Sequence, residues 1–164
     1  TIILNNTNIS ELGKKKSYVR IPDVVNFEYE EFNDYISWEA LHDGYLKNLN
    51  SLVKRKLIIK KNSSNIKGID TIIVRKKIKK NFIFNVRFHL TPICSCLITN
   101  NQNSVLIKTS KNKSFIFKSD SKLTLDESIY IINGKRVEKT KQIVISGQIT
   151  SSKTKLNWSL EKTK

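Results

Sequence analysis

Alternation of apolar and polar side chains is the feature that most constrains how this chain can fold. In NFIFNVRFHL (residues 81–90) every second side chain is apolar. The apolar set is Phe82, Phe84, Val86, Phe88 and Leu90, and the set between them is Ile83, Asn85, Arg87 and His89. A period of two places these sets on opposite faces of a β-strand. YISWEAL (35–41) alternates in the same way, and no segment carries a convincing helical stripe.

Segments rich in Ile, Val, Phe and Tyr predict most of the remaining strands. These segments are 1–5, 17–21, 24–29, 45–61, 65–74, 93–99, 103–109, 113–118, 128–132, 136–146 and 154–161. Turn residues separate them at Asn5-Asn6, Asp43-Gly44, Asn62-Ser63-Ser64, Asn100-Asn101, Lys111-Asn112, Asn133-Gly134 and Ser151-Ser152. We therefore predict an all-β fold, a large antiparallel β-sandwich of about a dozen strands. Neither a repeat nor a Pro/Gly-rich linker divides the chain, so residues 1–164 are expected to form one domain.

Two dipeptides predict β-hairpins. Asn133-Gly134 lies between two apolar runs and is a strong signal for a two-residue turn. Asp43-Gly44 would place His42 and Tyr45 opposite each other across the strands. Such a pair has two interpretations: an acid and base that act near neutral pH, or a cross-strand contact that only stabilises the sheet.

The net charge of +16 is unevenly distributed. Residues 1–43 hold four basic and eight acidic side chains, whereas residues 44–164 hold 26 basic and six acidic ones. The basic side chains are 25 Lys and 5 Arg. A lysine-rich surface attracts polyanions with little geometric recognition, since lysine lacks the planar fork of arginine. The charge therefore indicates either an acidic partner or a solvated surface.

One strand face has the composition of an anion-binding surface. Asn85, Arg87 and His89 line up on one side of a strand whose other side is apolar. Arginine can neutralise a carboxylate or sulfate, and asparagine and histidine can hydrogen-bond to it. The alternative interpretation is a solvent-facing side in which Arg87 pairs with a carboxylate such as Glu127.

Other chemistry has little support in the sequence. Two His and two Cys are too few and too scattered for a zinc site, so no metal is expected. No glycine-rich phosphate loop occurs, and no cofactor is expected. Neither His-Asp at 42–43 nor Asp-Glu-Ser at 126–128 has a spacing that implies nucleophilic catalysis. Cys94 and Cys96 lie two residues apart, at the limit of disulfide reach, and are expected to be reduced.

Five motifs in order resemble the C-terminal region of heparinase II/III-like proteins, most closely the alphaproteobacterial type. They are TIILNNTNISEL, LHDGYLKNLNSLVKRKLII, NVRFHLTP, LDESIYI and KTKQIVISG, and LNWSL at 156–160 also fits. The resemblance spans residues 1 to about 160. Thr91 departs from it, because a second histidine would be expected after RFHL.

The resemblance implies a super-sandwich fold and a parent enzyme, a bacterial polysaccharide lyase that cleaves uronic-acid polysaccharides by β-elimination. In such enzymes an N-terminal α/α toroid packs on the β-domain, and the cleft lies between them. The toroid supplies the reacting Tyr, and a His upstream of TIILNN completes the site. The resemblance thus predicts a C-terminal fragment without catalytic residues, from a parent of suspected periplasmic location. His42, Tyr45, Asn85, Arg87 and His89 are then candidates for lining the cleft or binding glycan.

The expected partners are an acidic polysaccharide and the toroid of the same parent chain. The sequence shows no membrane span, and nucleic acid is not expected. Two alternative functions stay open. One is a carbohydrate-binding module without lyase activity, and the other is a nucleic-acid-binding β domain. The latter is suggested by the basic runs at 14–16, 54–56 and 75–80.

Overall fold

A computed structural model of the protein describes residues 2–13, 17–76, 82–111 and 113–163. Within these residues the chain forms fourteen strands and one short helix. The strands are β1 (Ile2–Leu4), β2 (Glu11–Leu12), β3 (Tyr18–Arg20), β4 (Val24–Glu31), β5 (Tyr35–Tyr45), β6 (Ser51–Lys60), β7 (Ile66–Val74), β8 (Phe82–His89), β9 (Ser95–Ile98), β10 (Ser104–Lys108), β11 (Ser114–Ser119), β12 (Leu123–Ile132), β13 (Arg136–Ile149) and β14 (Lys153–Lys162). The helix α1 (Leu46–Leu49) separates β5 from β6. The predicted all-β class is confirmed.

The strands form two main antiparallel sheets, as expected for a β-sandwich. The large sheet has eight strands in the order β4-β5-β6-β7-β14-β11-β10-β9. The small sheet has four, in the order β1-β8-β13-β12, and β2 pairs with β3 separately. Two pairings join distant parts of the chain: β1 pairs with β8, and β7 pairs with β14.

The core lies between the two sheets. Leu4, Val86 and Ile145 of the small sheet and Ile72 and Val105 of the large sheet are fully buried. Burial of one such side chain stabilises the fold by about 2 kcal/mol relative to an exposed position. The alternation read in residues 81–90 is confirmed, because Phe84 and Val86 are buried while the side chains between them are more exposed.

An aromatic cluster closes the core at one place. Trp158 of β14 lies over Gly68 of β7, where a Cβ atom would come within 2.1 Å of the indole ring. Phe117 stacks on Trp158, and Phe88 of the small sheet meets the indole edge at a centroid distance of 4.8 Å. Gly68 is therefore required because the indole occupies the space of a side chain.

The hairpin at Asn133-Gly134 is confirmed. Both residues have positive φ angles, 50° and 68°, as a type I′ turn requires. The Lys135 amide donates to the Ile132 carbonyl at 3.0 Å. The outermost paired residues are Ile132 and Arg136, so three residues connect β12 to β13 rather than the predicted two.

The predicted hairpin at Asp43-Gly44 is wrong. Both residues lie inside β5, where the register against β6 shifts between His42 and Tyr45. The reversal comes later, through α1 and Asn50, whose φ of 47° lies in the left-handed region. The predicted strand 45–61 therefore begins only at Ser51. A glycine beside an aspartate can mark a bulge as well as a turn, since both interrupt regular pairing.

Some sequence features fall partly or wholly outside the described residues. These are the lysine run at 14–16, most of the basic run at 75–80, and the second residue of the Lys111-Asn112 turn. In the described part of the chain, Cys94 and Cys96 are free thiols. The described residues include no helix with the length and apolar character needed to span a bilayer.

Candidate functional surfaces

The bulge in β5 is stabilised by hydrogen bonds from Asp23 and from Arg20. The Asp23 amide donates to the Asp43 carboxylate at 2.8 Å, and the Asp43 amide donates to the Asp23 carbonyl at 3.2 Å. The Arg20 guanidinium donates to the carbonyls of Gly44 and Ile9. These contacts satisfy backbone groups that the shifted ladder leaves unpaired, so the bulge is a built part of the sheet.

His42 lies at this bulge as a half-buried imidazole. Burial lowers its pKa, and the Arg55 charge lowers the pKa further, while Asp43 acts in the opposite direction. Its Nδ1 accepts a hydrogen bond from the Gly44 amide at 3.3 Å. The ring centroid lies 6.1 Å from that of Tyr45. The two rings are therefore neighbours along the strand, not partners across a hairpin.

Tyr45 connects the two sheets. Its side chain is fully buried, and its hydroxyl donates to the Ile2 carbonyl of β1 at 2.8 Å. Burial raises the pKa of the phenol. A buried phenol with a raised pKa is a poor base near neutral pH. The geometry thus favours the structural interpretation of Tyr45.

Asn85, Arg87 and His89 lie side by side on the outer face of the small sheet. The Ser146 hydroxyl donates to the Asn85 carbonyl oxygen at 2.7 Å. The His89 Nδ1 shares a 2.9 Å hydrogen bond with the Ser128 hydroxyl. Partial burial lowers the pKa of His89, and the nearby Arg87 charge lowers it further. This row presents one cation, Arg87, between two polar side chains that hydrogen bonds hold in place.

The five candidate residues do not form one site. His42 and Tyr45 belong to the large sheet, and Tyr45 points at the edge strand of the small sheet. The row of Asn85, Arg87 and His89 lies on the opposite, outer surface of the small sheet, away from the core. Glu127, considered as a partner for Arg87, lines a cavity with Cys94, Cys96, Lys139 and Lys141.

A charged cluster that the motifs did not reveal lies beside the aromatic core. Arg55 donates two hydrogen bonds, at 2.6 and 2.9 Å, to the fully buried Asp70 carboxylate. Trp158 donates a third to Asp70 at 3.0 Å. The guanidinium lies 5.4 Å from the Phe88 ring centroid. The one acidic residue in GIDTIIV was the signal that could have predicted this pair, because a buried carboxylate needs a cation.

Two strands of the large sheet extend beyond the cover of the small sheet. On β4 and β5, the face directed toward the small-sheet side is built from Val24, Phe27, Tyr29, Glu31, Ile36, Trp38, Ala40 and His42. We call this surface the open face. Val24, Phe27 and Tyr29 are 67%, 60% and 55% exposed, although their positions match those of core residues on other strands. An apolar face of this kind indicates a contact surface for another element.

In the part of the chain that the structure describes, no three His, Cys, Asp or Glu side chains lie together in a way that could hold a metal. Cys94 contacts Thr91, with 3.2 Å between Sγ and Oγ1. Burial raises the pKa of the Cys96 thiol, which makes it a weak nucleophile.

Comparison with known proteins gives a consistent result. A family described as heparinase II/III-like, C-terminal, matches residues 1–159. The fold is similar to that of the heparan sulfate lyase HepC from Pedobacter heparinus, with a TM-score of 0.73 at 12% identity. It also resembles a structure titled heparinase III, with a TM-score of 0.75 at 8% identity. No curated protein sequence matches the chain.

The solved lyases are much longer than this chain. The HepC alignment covers 99% of this chain and 23% of HepC, and the heparinase III alignment covers 100% and 24%. The chain therefore spans about a quarter of the length of the structures it resembles. At these identities the similarity supports the fold.

Proposed function

The chain belongs to the heparinase II/III-like C-terminal family, and on this premise we propose that it is the β-domain of a polysaccharide lyase. The parent enzyme would cleave uronic-acid polysaccharides by β-elimination. In this proposal residues 1–164 form a single C-terminal domain, which packs against an N-terminal α/α toroid and shapes the cleft between them.

The open face is the observation that supports the packing role best. Its large apolar side chains alternate as in a buried strand, yet the small sheet does not cover them. The similar solved chains are about four times as long, which supports a further domain as the missing cover. An interface of this kind would bury Phe27 and Tyr29 and stabilise the assembly in proportion to the apolar area removed from water.

The chemistry of β-elimination defines what the parent must supply. A cationic or hydrogen-bonding group must neutralise the uronate carboxylate, which acidifies the neighbouring carbon-bound proton. A base then removes that proton, and an acid protonates the leaving glycosidic oxygen. In this chain Tyr45 is fixed on a backbone carbonyl and His42 accepts a hydrogen bond from Gly44. We therefore assign neither one a catalytic role and place the reacting groups in the rest of the parent.

The test compares the chain alone with the chain joined to the region that precedes it in its gene. Each is incubated with heparan sulfate and with other uronic-acid polysaccharides, and the unsaturated product is followed by its ultraviolet absorbance. We expect product only from the longer protein. Product formation by residues 1–164 alone, or a preceding region with no helical toroid, would contradict the proposal.

A second candidate function is a carbohydrate-binding module whose parent has no lyase activity. The row of Asn85, Arg87 and His89 favours it, because a hydrogen bond with Ser146 holds Asn85 in place and one with Ser128 holds His89. Calorimetric titration with a heparin oligosaccharide tests it through Arg87→Ala. The matched control is Arg136→Ala in the β12–β13 hairpin. Equal affinity of both variants would count against this site.

A further inference from the structure

The outer surface of the large sheet, which faces away from the small sheet, carries an ordered array of lysines. Strand alternation and register place six of them on one surface that crosses four adjacent strands. We call this surface the lysine face, and its members are Lys54, Lys56, Lys67, Lys118, Lys153 and Lys155.

The register sets the spacing of these cations. Lys54 and Lys155 both pair with Thr71 from opposite sides, and Lys67 and Lys118 both pair with Ser159. Neighbouring strands lie about 4.8 Å apart, and one strand separates the two lysines of each pair. Their Cα atoms are therefore about 10 Å apart. Lys153 and Lys155 lie two residues apart on β14 and share one face, with their Cα atoms about 7 Å apart. The cations thus form a regular grid, whose repeated spacing can match the repeated charges of a linear polyanion.

Acidic neighbours neutralise only part of this grid. Lys54 pairs with Glu39 at 2.7 Å, and Lys118 pairs with Glu161 at 2.8 Å. No ion pair in the described part of the chain involves the other four lysines, although the charge of Lys67 also acts on Glu161. Their surplus charge creates a positive field on this face, which raises the local concentration of any polyanion.

A groove of about 290 Å³ lies within the lysine face. Ile58 and Ile69 contribute an apolar lining, and Lys67 and Lys118 flank it. Asn157 and Asp120 also line the groove, and the Asn157 side-chain amide donates to the Asp120 carboxylate at 2.7 Å, so that this one acidic group of the lining is already hydrogen-bonded. An apolar floor with fixed polar groups and flanking cations can accommodate the apolar face of a sugar ring and its acidic substituents.

We propose that the lysine face is a binding surface for acidic polysaccharide, separate from the cleft of the proposed lyase. It would hold the glycan chain at a second point while another stretch occupies the cleft. The choice of acidic polysaccharide as the ligand rests on the proposed function. The location of the site rests on the lysine face and its groove.

A nucleic acid fits this surface less well. Proteins that bind single strands stack bases on aromatic side chains. The strands that carry the lysine face, β6, β7, β14 and β11, direct their aromatic residues, Phe115, Phe117 and Trp158, toward the core side. The face also lacks arginine, whose planar fork provides bidentate phosphate contacts.

The experiment measures binding of a size-defined heparin octasaccharide to the 164-residue chain by calorimetric titration. The test variant is K56Q/K67Q/K155Q. The matched control, K122Q/K135Q/K139Q, removes three exposed lysines elsewhere and lowers the net charge equally. We expect the test variant to bind about tenfold more weakly and the control to change by less than about twofold. Thermal unfolding of each variant checks that the fold is intact.

Three results would overturn the proposal. They are an equal loss of affinity in both variants, no measurable binding by the wild type, and tighter binding of an oligodeoxynucleotide of equal charge. The experiment reads binding by this chain alone, whereas the proposed lyase function is read from product formation by the longer protein. Each proposal can therefore fail without the other.

Discussion

The large sheet has a closed half, which the small sheet covers, and an open half, formed by β4 and β5, which it does not cover. Strands in both halves have the same alternation of apolar and polar side chains. In the closed half, Ile72 and Val105 are fully buried and belong to one hydrophobic core cluster with Val86 and Ile145 of the small sheet. In the open half, every residue of β4 is exposed. A strand can therefore have the alternation of a buried element and still lack its cover within the same chain. The comparison shows that the apolar side chains of β4 have no cover within the described part of the chain.

The largest expected effect comes from removing a core side chain in the closed half. Ile145→Ala would delete apolar atoms from a fully enclosed position and leave a cavity. We expect it to lower the free energy of unfolding by about 3–4 kcal/mol. Urea denaturation followed by circular dichroism measures this change. A loss below about 1 kcal/mol would show that the small sheet does not enclose this position.

Removing the buried carboxylate gives the next largest effect. Asp70→Ala would leave the Arg55 guanidinium and the Trp158 indole N–H without their acceptor. Breaking a buried pair in this way costs about 3 kcal/mol. The same denaturation measurement applies, with Asp126→Ala, on an exposed position of the β12–β13 hairpin, as the control. Equal stability of the two variants would contradict the role of Asp70 in joining strands β6, β7 and β14 of the large sheet.

His42 makes the stability near the open face depend on pH. Because burial lowers its folded-state pKa below the ordinary value of 6.5, the unfolded state binds a proton first as pH falls. Stability should be constant above about pH 7 and decrease as pH falls through about 6.5. His89 acts in the same direction.

Unfolding of the wild type, His42→Gln and His89→Gln between about pH 7.5 and pH 5 separates the two histidines. Each variant should lose stability less steeply with acid than the wild type does. A slope for His42→Gln that equals the wild-type slope would show that this imidazole is not buried as described.

The smallest effect is expected on the open face itself. Phe27→Ser changes a large apolar side chain that is mostly exposed in this chain. We expect a loss of less than about 1 kcal/mol in unfolding free energy. Because β4 is an exposed edge strand with an apolar face, the isolated chain is expected to self-associate, and analytical ultracentrifugation should show less self-association for this variant. A loss as large as that of Ile145→Ala would mean that Phe27 is already covered.

The fold class was predictable because alternation directly reports strand faces, as residues 81–90 demonstrate. Strand partners were not predictable, since alternation says nothing about which strand lies beside which. The pairing of β7 with β14 joins residues far apart in sequence. Helix α1 was missed because four residues are too few to show a helical period. Asn50, which tolerates the left-handed conformation, was the better turn signal.

The candidate surfaces were predicted less completely than the fold. Asn85, Arg87 and His89 do share one face, as their spacing predicted. His42 and Tyr45 were placed around a hairpin that is a bulge, so their predicted cross-strand pairing is wrong. The link between Arg55 and Asp70 depends on the register of β6 against β7, which no local pattern encodes. The open face could not be predicted because exposure depends on which strands the small sheet covers.

Amide hydrogen exchange tests the central claim most directly, namely that the open face is covered by the rest of the parent protein. Exchange is measured in the 164-residue chain alone and in the same chain joined to the region that precedes it in its gene. We predict slower exchange in β4 and β5 of the longer protein and little change in β8 and β13, which the sandwich already protects. Equal exchange of β4 and β5 in the two proteins would contradict the claim.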